Sequence, residues 1–461
     1  MRFSLLSKAS CLAMLGLSSM QGAGFILSEQ SLNGTALNSA YVAGAFGADS
    51  AYYNPANMGF DNNNELELNA TMIFIPGFDF TTNNRRQELG GAAAQPNIIN
   101  GHANSTYAFV PKMFFKTKAL EVNEVLKSSF GLSVTTPSGL TMDWGGEGGG
   151  FLDNVGIGMI EINPVMALTF SDRFSIGGGL RFIYATGNFD NTLQVPFSVT
   201  QPLPMTGTTQ VTQVSETEAW GVGFNLAASL KITEKTMLSA TYRSKAHFDM
   251  KGRLNANSEV PLGAALGFAN GVNMAADLNL STDMPDTLRV ALAHRFDKLL
   301  AELVCEYVFW GKADIFEFQY SNQVFTDPTD GRVIDGSGAN ENLVLGGVTA
   351  ADYNAVAMGR GWRNSQAIRL GLSYFYSPRL KLMGSLAFDG TPVPQGKDRF
   401  GIPDANSYML GLGARYDLWD GKPDVGIAYS LALKDNRNSF IQSKHGLGQL
   451  HLLTVGAKYR F

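Results

Sequence analysis

The sequence predicts an all-β protein, a 14-stranded antiparallel transmembrane β-barrel plugged by a small N-terminal hatch. Three observations predict it. From Glu65 onward, apolar and polar residues alternate in stretches of roughly ten to twelve residues, whereas strands of soluble sheets average about five or six. The connections between these stretches alternate between tight turns and long polar segments. The segment before Glu65 is small, Gly/Ala/Ser/Asn-rich and nearly uncharged, so it cannot bury a core of its own and reads as a plug inside the wall.

Composition supports the barrel. The chain has 461 residues, with 51 Gly, 11% aromatic and only 16% charged residues, and a net charge of −5. A soluble globular chain usually carries nearer a quarter charged residues. No run of about 18 apolar residues follows the N-terminus, which excludes an α-helical membrane protein. No basic patch marks a nucleic-acid partner.

Residues 1–23 read as a secretory signal. Arg2 and Lys8 form the positive region, Cys11–Leu17 the apolar region, and Met20-Gln21-Gly22-Ala23 the cleavage site, cut after Gly22 or Ala23. Lys8-Ala9-Ser10 ahead of Cys11 is not a lipobox. Removing the signal takes the charge from −5 to −7 and leaves Cys305 as the only cysteine, an apolar packing residue with no disulfide partner. The hatch then spans 24–64 and the barrel 65–461. In the hatch only Glu29, Asp49 and Asp61 are charged. The turn Asn54-Pro55-Ala56 fixes its conformation: proline locks φ and biases Asn54 to extended geometry, and the Asn54 side chain is expected to bond its own backbone.

The wall follows strand by strand. Phe174, Ile176, Leu180, Phe182 and Tyr184 share one face, opposite Ser175, Gly177, Gly179 and Arg181. Trp220, Val222, Phe224 and Leu226 oppose Gly221, Gly223 and Asn225. The same parity sets Arg243, Arg289, Arg369 and Arg415 against apolar runs. A charge costs several kcal/mol at the lipid-facing midplane, so the charged face is the lumen. Glu302, Glu306 and Asp417 are the expected partners of the lumen arginines. Fourteen strands start near 65, 106, 128, 160, 173, 218, 236, 286, 299, 364, 379, 406, 423 and 448. Ser171-Asp172, Thr233–Lys235, Asp297-Lys298, Ser377-Pro378 and Leu418–Gly421 are the tight turns. Segments 76–105, 137–159, 187–217, 253–285, 312–363, 390–405 and 435–447 are the expected long loops. The last strand ends in Tyr459 and Phe461, aromatics suited to an interfacial girdle.

Several short motifs carry a resemblance. Ala23-Gly24-Phe25, Gly34, Tyr41, Asp49 and Asn54-Pro55-Ala56 come first. Tyr242-Arg243-Ser244, Met284-Pro285-Asp286 and Gly361-Trp362-Arg363 follow, then Phe388-Asp389-Gly390-Thr391-Pro392-Val393-Pro394 and Ile402-Pro403-Asp404. In this order, across about 430 residues, the chain resembles the FadL/TodX family of outer-membrane transporters for long-chain fatty acids and hydrophobic compounds. The resemblance implies a bacterial outer-membrane location and passive uptake through capture in the outer loops, an internal pocket beside the hatch, and lateral exit at a kinked third strand. That strand is Ser128–Thr136, and Pro137 and Gly139 follow it; the two residues either open the wall or simply end the strand. Phe25, Leu262, Leu266 and Phe268 are candidate substrate contacts. The apolar residues of the loop 253–286 either bind ligand or pack on a neighbouring loop. Arg363 falls where the family has a basic residue and is the candidate for a carboxylate headgroup. At the end of the fifth strand, Thr186-Gly187-Asn188 departs from the family's basic residue and favours uncharged cargo. Asn54, Pro55, Ala56, Pro137 and Gly139 are the candidate hatch and gating residues. The expected partners are hydrophobic small molecules, outer-membrane lipid and lipopolysaccharide, with the barrel a monomer.

Two other classes remain. A general aqueous porin needs no forty-residue plug. A barrel hydrolase needs an acid–base set, and His102, His247, His294, His445 and His451 form no compact arrangement with serine and carboxylate. Glu302 and Glu306 lie roughly 13 Å apart along a strand. No metal-ligand spacing is present, so no metal or cofactor is expected.

Overall fold

Alternation along the chain builds a closed antiparallel barrel of fourteen strands. The structure is a computed structural model; it describes residues 24–82, 99–145, 153–199, 205–259, 271–313, 315–334, 355–359, 361–395, 404–419, 423–435, 441–442 and 448–461. The wall begins with β1 (Glu65–Ile75), β2 (Thr106–Lys116) and β3 (Leu126–Thr135 and Gly139–Asp143). β4 (Asn154–Phe170), β5 (Phe174–Val199) and β6 (Met205–Thr233) follow. β7 (Thr236–Arg243, Ala246–Glu259), β8 (Gly271–Met284, Thr287–Phe296), β9 (Leu299–Val308, Ile315–Thr326) and β10 (Ala355–Gly359, Ser365–Phe375) are each broken once. β11 (Leu380–Asp389), β12 (Ser407–Asp417), β13 (Asp424–Lys434) and β14 (Gln449–Arg460) complete the circuit. β1 pairs with β14 from Glu65↔Arg460 to Phe74↔His451, which closes the circuit. Closure is what lets a sheet sit in hydrocarbon with every ladder bond made.

The expected lipid face is the exposed one. Leu180, Trp220, Leu226, Ile368 and Leu412 are more than half exposed on the outer surface, and Cys305 stands on that face too. Arg181, Arg243, Arg289, Arg369 and Arg415 are all buried in the lumen.

The expected long loops at 137–159, 187–217, 253–285 and 312–363 need correction, because much of each is strand. β5 runs 26 residues and β6 runs 29, far more than about ten needed to cross the bilayer. Their polar outer halves read as loop because alternation fades once both faces meet water. Val272 and Met274, expected in the loop, lie in β8.

Residues 24–64 fold inside the wall. Helix α1 (Leu32–Ala36) is capped by Ser31, whose hydroxyl accepts from the Gly34 N–H. Helix α2 (Ser50–Tyr53) leads into the 3-10 turn Pro55–Phe60. Pro55 opens that turn, where its missing N–H costs nothing. Nearly every residue from Gly24 to Gly59 is buried; Phe46, at 39%, is the exposed one. Asp49 organises the segment by accepting from Ser31 Oγ (2.7 Å), Asn33 Nδ2 (2.9 Å) and Tyr41 OH (3.1 Å).

Candidate functional site

The lumen is divided in two along its axis. Around the N-terminal segment the wall presents charge. Arg181 and Arg243 share Glu161, while Arg289 and Arg369 share Glu306. Arg369 also meets Asp389 at 2.8 Å. Arg415 pairs with Glu67 and, at 3.4 Å, with Asp424. Two expected pairings are corrected here. Asp417 is not the carboxylate beside Arg415. Glu302 meets no arginine among the described residues; it accepts from the backbone N–H groups of Val42 (2.6 Å), Ala43 (2.6 Å) and Gly44 (2.9 Å), fastening the hatch to β9. Three aligned donors satisfy a buried carboxylate as a cation would.

Above that belt the lumen turns apolar. Ile157, Met159, Ile183, Phe248, Met250 and Leu280 point inward from β4, β5, β7 and β8. The breaks in β9 and β10 turn Trp310 and Trp362 into the same cluster. Phe25 packs against the pair of indoles, 4.9 Å from Trp310 edge-on and 6.4 Å from Trp362, and the two indoles meet each other edge-on at 4.9 Å. Gly24 has φ +65, and a Cβ there would stand 2.6 Å from the Trp310 ring, so only glycine lets the arm approach. Its N–H donates to Asp404, which also accepts from Thr391 Oγ1 and pairs with Lys434. The Trp310 indole N–H is buried and has no hydrogen-bond partner among the described residues.

The arm then runs along the break in β3. The strand does not end at Pro137; it resumes at Gly139 and stays paired with β4 on both sides, Thr135↔Glu161 and Gly139↔Gly158. Three residues oppose two across that interval, which is a bulge. On its other side β3 pairs with β2 only from Lys116↔Gly131 to Met113↔Val134, although β2 extends to Thr106. Residues 25–30 take up the polar groups of the break. Leu27 N–H donates to the Pro137 carbonyl (3.0 Å), and Ser138 Oγ donates to the Phe25 carbonyl (2.6 Å). Gly139 N–H reaches the same carbonyl at 3.4 Å. Gln30 closes a two-bond ring with the Thr136 backbone, at 2.8 and 3.0 Å.

Phe25, Pro137 and Gly139 therefore meet at one place, whereas Asn54, Pro55 and Ala56 lie elsewhere on the wall. Asn54 Nδ2 donates to the Val42 carbonyl (2.8 Å) and to Ser229 Oγ (2.9 Å), not to its own backbone as expected. A Cβ on Gly177 would touch Ala56 N at 2.6 Å, so bare glycine backbone admits the turn. The Arg363 side chain is exposed beside Trp362, and its N–H donates to the Pro392 carbonyl (2.9 Å). Leu262, Leu266 and Phe268 lie outside the described residues, as does the signal 1–23. Sequence reading missed Gln30, Ser138, Trp310 and Asp404. Tryptophans at two strand interruptions were the available signal.

Comparison with known proteins decides the family. Residues 13–461 match the model of the outer membrane protein transport protein family (OMPP1/FadL/TodX). The chain belongs to this family. It is 23% identical to outer membrane protein P1 of Haemophilus influenzae, over 92% of this chain and 89% of that protein. It is 23% identical to the long-chain fatty acid transport protein of Escherichia coli K12, over 74% of each. A Pseudomonas aeruginosa FadL homologue superposes with a TM-score of 0.71 at 18% identity, covering 95% of this chain and 100% of that one. The Pseudomonas putida toluene transporter TodX gives 0.63 at 14%, covering 94% and 99%. This FadL/TodX-family member is an outer-membrane transporter of hydrophobic compounds.

Proposed function

We propose that the protein takes up long-chain fatty acids or other hydrophobic compounds passively. Cargo enters the apolar cluster from outside, displaces Phe25 from its place against Trp310 and Trp362, and leaves sideways into the membrane at the break in β3. One observation carries this reading. One short arm does both: Phe25 and Ile26 pack in the apolar cluster, and Phe25, Leu27 and Gln30 make hydrogen bonds to the break. A ligand that moves Phe25 thus acts on the wall opening without a separate relay. The ladder cost is small, because β2 and β3 share so few pairs.

Arg363 meets a carboxylate headgroup at the chamber rim, and neutral cargo needs no such contact. The Trp310 N–H, without a partner among the described residues, offers a donor to any acceptor on the cargo, since an unmade buried hydrogen bond costs about 1–3 kcal/mol until a ligand makes it. The barrel works as a monomer in contact with outer-membrane lipid and lipopolysaccharide; Lys245, Lys251 and, in register, Arg253 stand outward above the apolar band. Cargo moves down its own gradient.

Uptake tests the reading. Cells lacking their own transporter and expressing this chain should take up labelled oleate or toluene saturably, with no gain for glucose. Equal gains for glucose and oleate would show an aqueous porin instead.

A further inference from the structure

The short-turn end of the barrel holds a cavity of about 400 Å³ that the transport path above the hatch does not use. In an outer-membrane barrel the short turns face the periplasm. The cavity floor is the hatch loop Tyr41–Phe46, with Phe46 looking out into it. Its sides come from the short-turn ends of β6 to β14 and the turns between them.

Its charge is unbalanced. On the inner wall Arg415, Lys458 and Arg460 are already paired, with Glu67, Asp424 and Glu65. Lys231, Lys235, Arg295 and Lys381 are not. Lys231 lies 4.4 Å over the Phe60 ring and Arg295 lies 4.3 Å over Phe375. Arg295 otherwise donates to the Asp297 carbonyl, and Lys381 Nζ donates to Asn33 Oδ1. None of the four forms an ion pair among the described residues, and the other carboxylates lining the space are Glu234 and Asp417. Beside these cations the surface is apolar, from Phe46, Phe375, Leu300 and Leu380. Cations converging on a recess with apolar walls favour a ligand that brings both a negative charge and a hydrocarbon part.

We infer that this recess is a binding site for an amphiphilic anion, with Lys231, Lys235, Arg295 and Lys381 holding the head and Phe46 and Phe375 the chain. It opens to the periplasm and is separated from the apolar cluster by the hatch, so it stands whether or not the uptake reading does. A carboxylate from a fatty acid and a phosphate ester from a membrane lipid offer the same chemistry, and the test separates them.

Equilibrium dialysis of the whole mature protein in maltoside micelles, blanked against empty micelles, reads binding. Labelled octanoate and octyl phosphate are the two anionic probes and octanol is the neutral one. At least one anion should bind saturably, and whichever binds more tightly assigns the head. The pair Lys231→Gln and Arg295→Gln should weaken it at least tenfold, and Lys235→Glu, on an exposed turn, should weaken it without touching the hatch. Heat-modifiable migration shows that each variant is an assembled barrel. Three results would each overturn the inference: neither anion binds, octanol binds as tightly as octanoate, or binding is unchanged in both charge variants.

Discussion

Among single residues, position decides which charges are free to meet a ligand. Arg181, Arg243, Arg289, Arg369 and Arg415 are buried in pairs, and removing one partner of a buried pair costs about 3–5 kcal/mol. These five are therefore structural. Arg363, exposed one residue beyond Trp362, is not committed in that way. Arg363→Ala should leave assembly unchanged and weaken capture of a labelled fatty acid roughly two- to tenfold, the range of a solvent-exposed charge-assisted contact. Capture of a neutral hydrocarbon should hold. Equal losses for both cargoes would assign Arg363 a structural role. The residue chemistry was legible only in part. Parity put the arginines inside, but which carboxylate each meets depends on strand register around the barrel. Arg415 in β12 reaches Glu67 in β1, a partner 348 positions away that no local pattern announces.

At the level of elements, the break in β3 matters most. Pro137 cannot donate to a ladder, and sequence alone left open whether it stopped the strand. The structure resumes the strand at Gly139 and fills the gap with the N-terminal arm, where Ile26 bridges Ser138. Directly opposed residues in an antiparallel bridge sit close enough for a disulfide. Ile26→Cys with Ser138→Cys should therefore crosslink on oxidation, with the native Cys305 remote on the lipid face. The oxidised protein should remain an assembled barrel and lose hydrophobic uptake, which a reductant restores. If the oxidised and reduced forms transport alike, the arm does not need to leave the break and the lateral route fails. The signal for this coupling was weak in the sequence: Gln30 and Ser138 are ordinary polar residues until two distant segments are brought together.

For the whole molecule, wall and plug are held by different interactions. The ladder bonds close the wall on itself, and the lumen arginines find their carboxylates on the wall: Glu161, Glu306, Asp389, Glu67 and Asp424. The segment 24–64 adds only Glu29, 3.9 Å from Arg369, and the Ile26 bridge to Ser138, and without it each lumen arginine keeps a carboxylate on the wall. Deleting 24–60 should consequently leave a heat-modifiable barrel. In planar bilayers the deleted form should conduct ions in large open steps, and saturable uptake of hydrophobic cargo should disappear. A full-length protein that already conducts like an open porin would rule out a plug.

Period and turn chemistry are local properties, so the sequence by itself determined the strand number, the lipid face and the inward arginines. It also marked a segment too poor in apolar surface to fold alone. Strand length beyond the membrane was hidden, because a strand with water on both faces loses its alternation. Only the tertiary structure decided what the inside does. Barrel closure brings Phe25 to Trp310 and Trp362, Gln30 to Thr136, and Glu302 to the amides of 42–44. Those contacts join residues tens to hundreds of positions apart, and no periodicity along one segment records where another segment will lie.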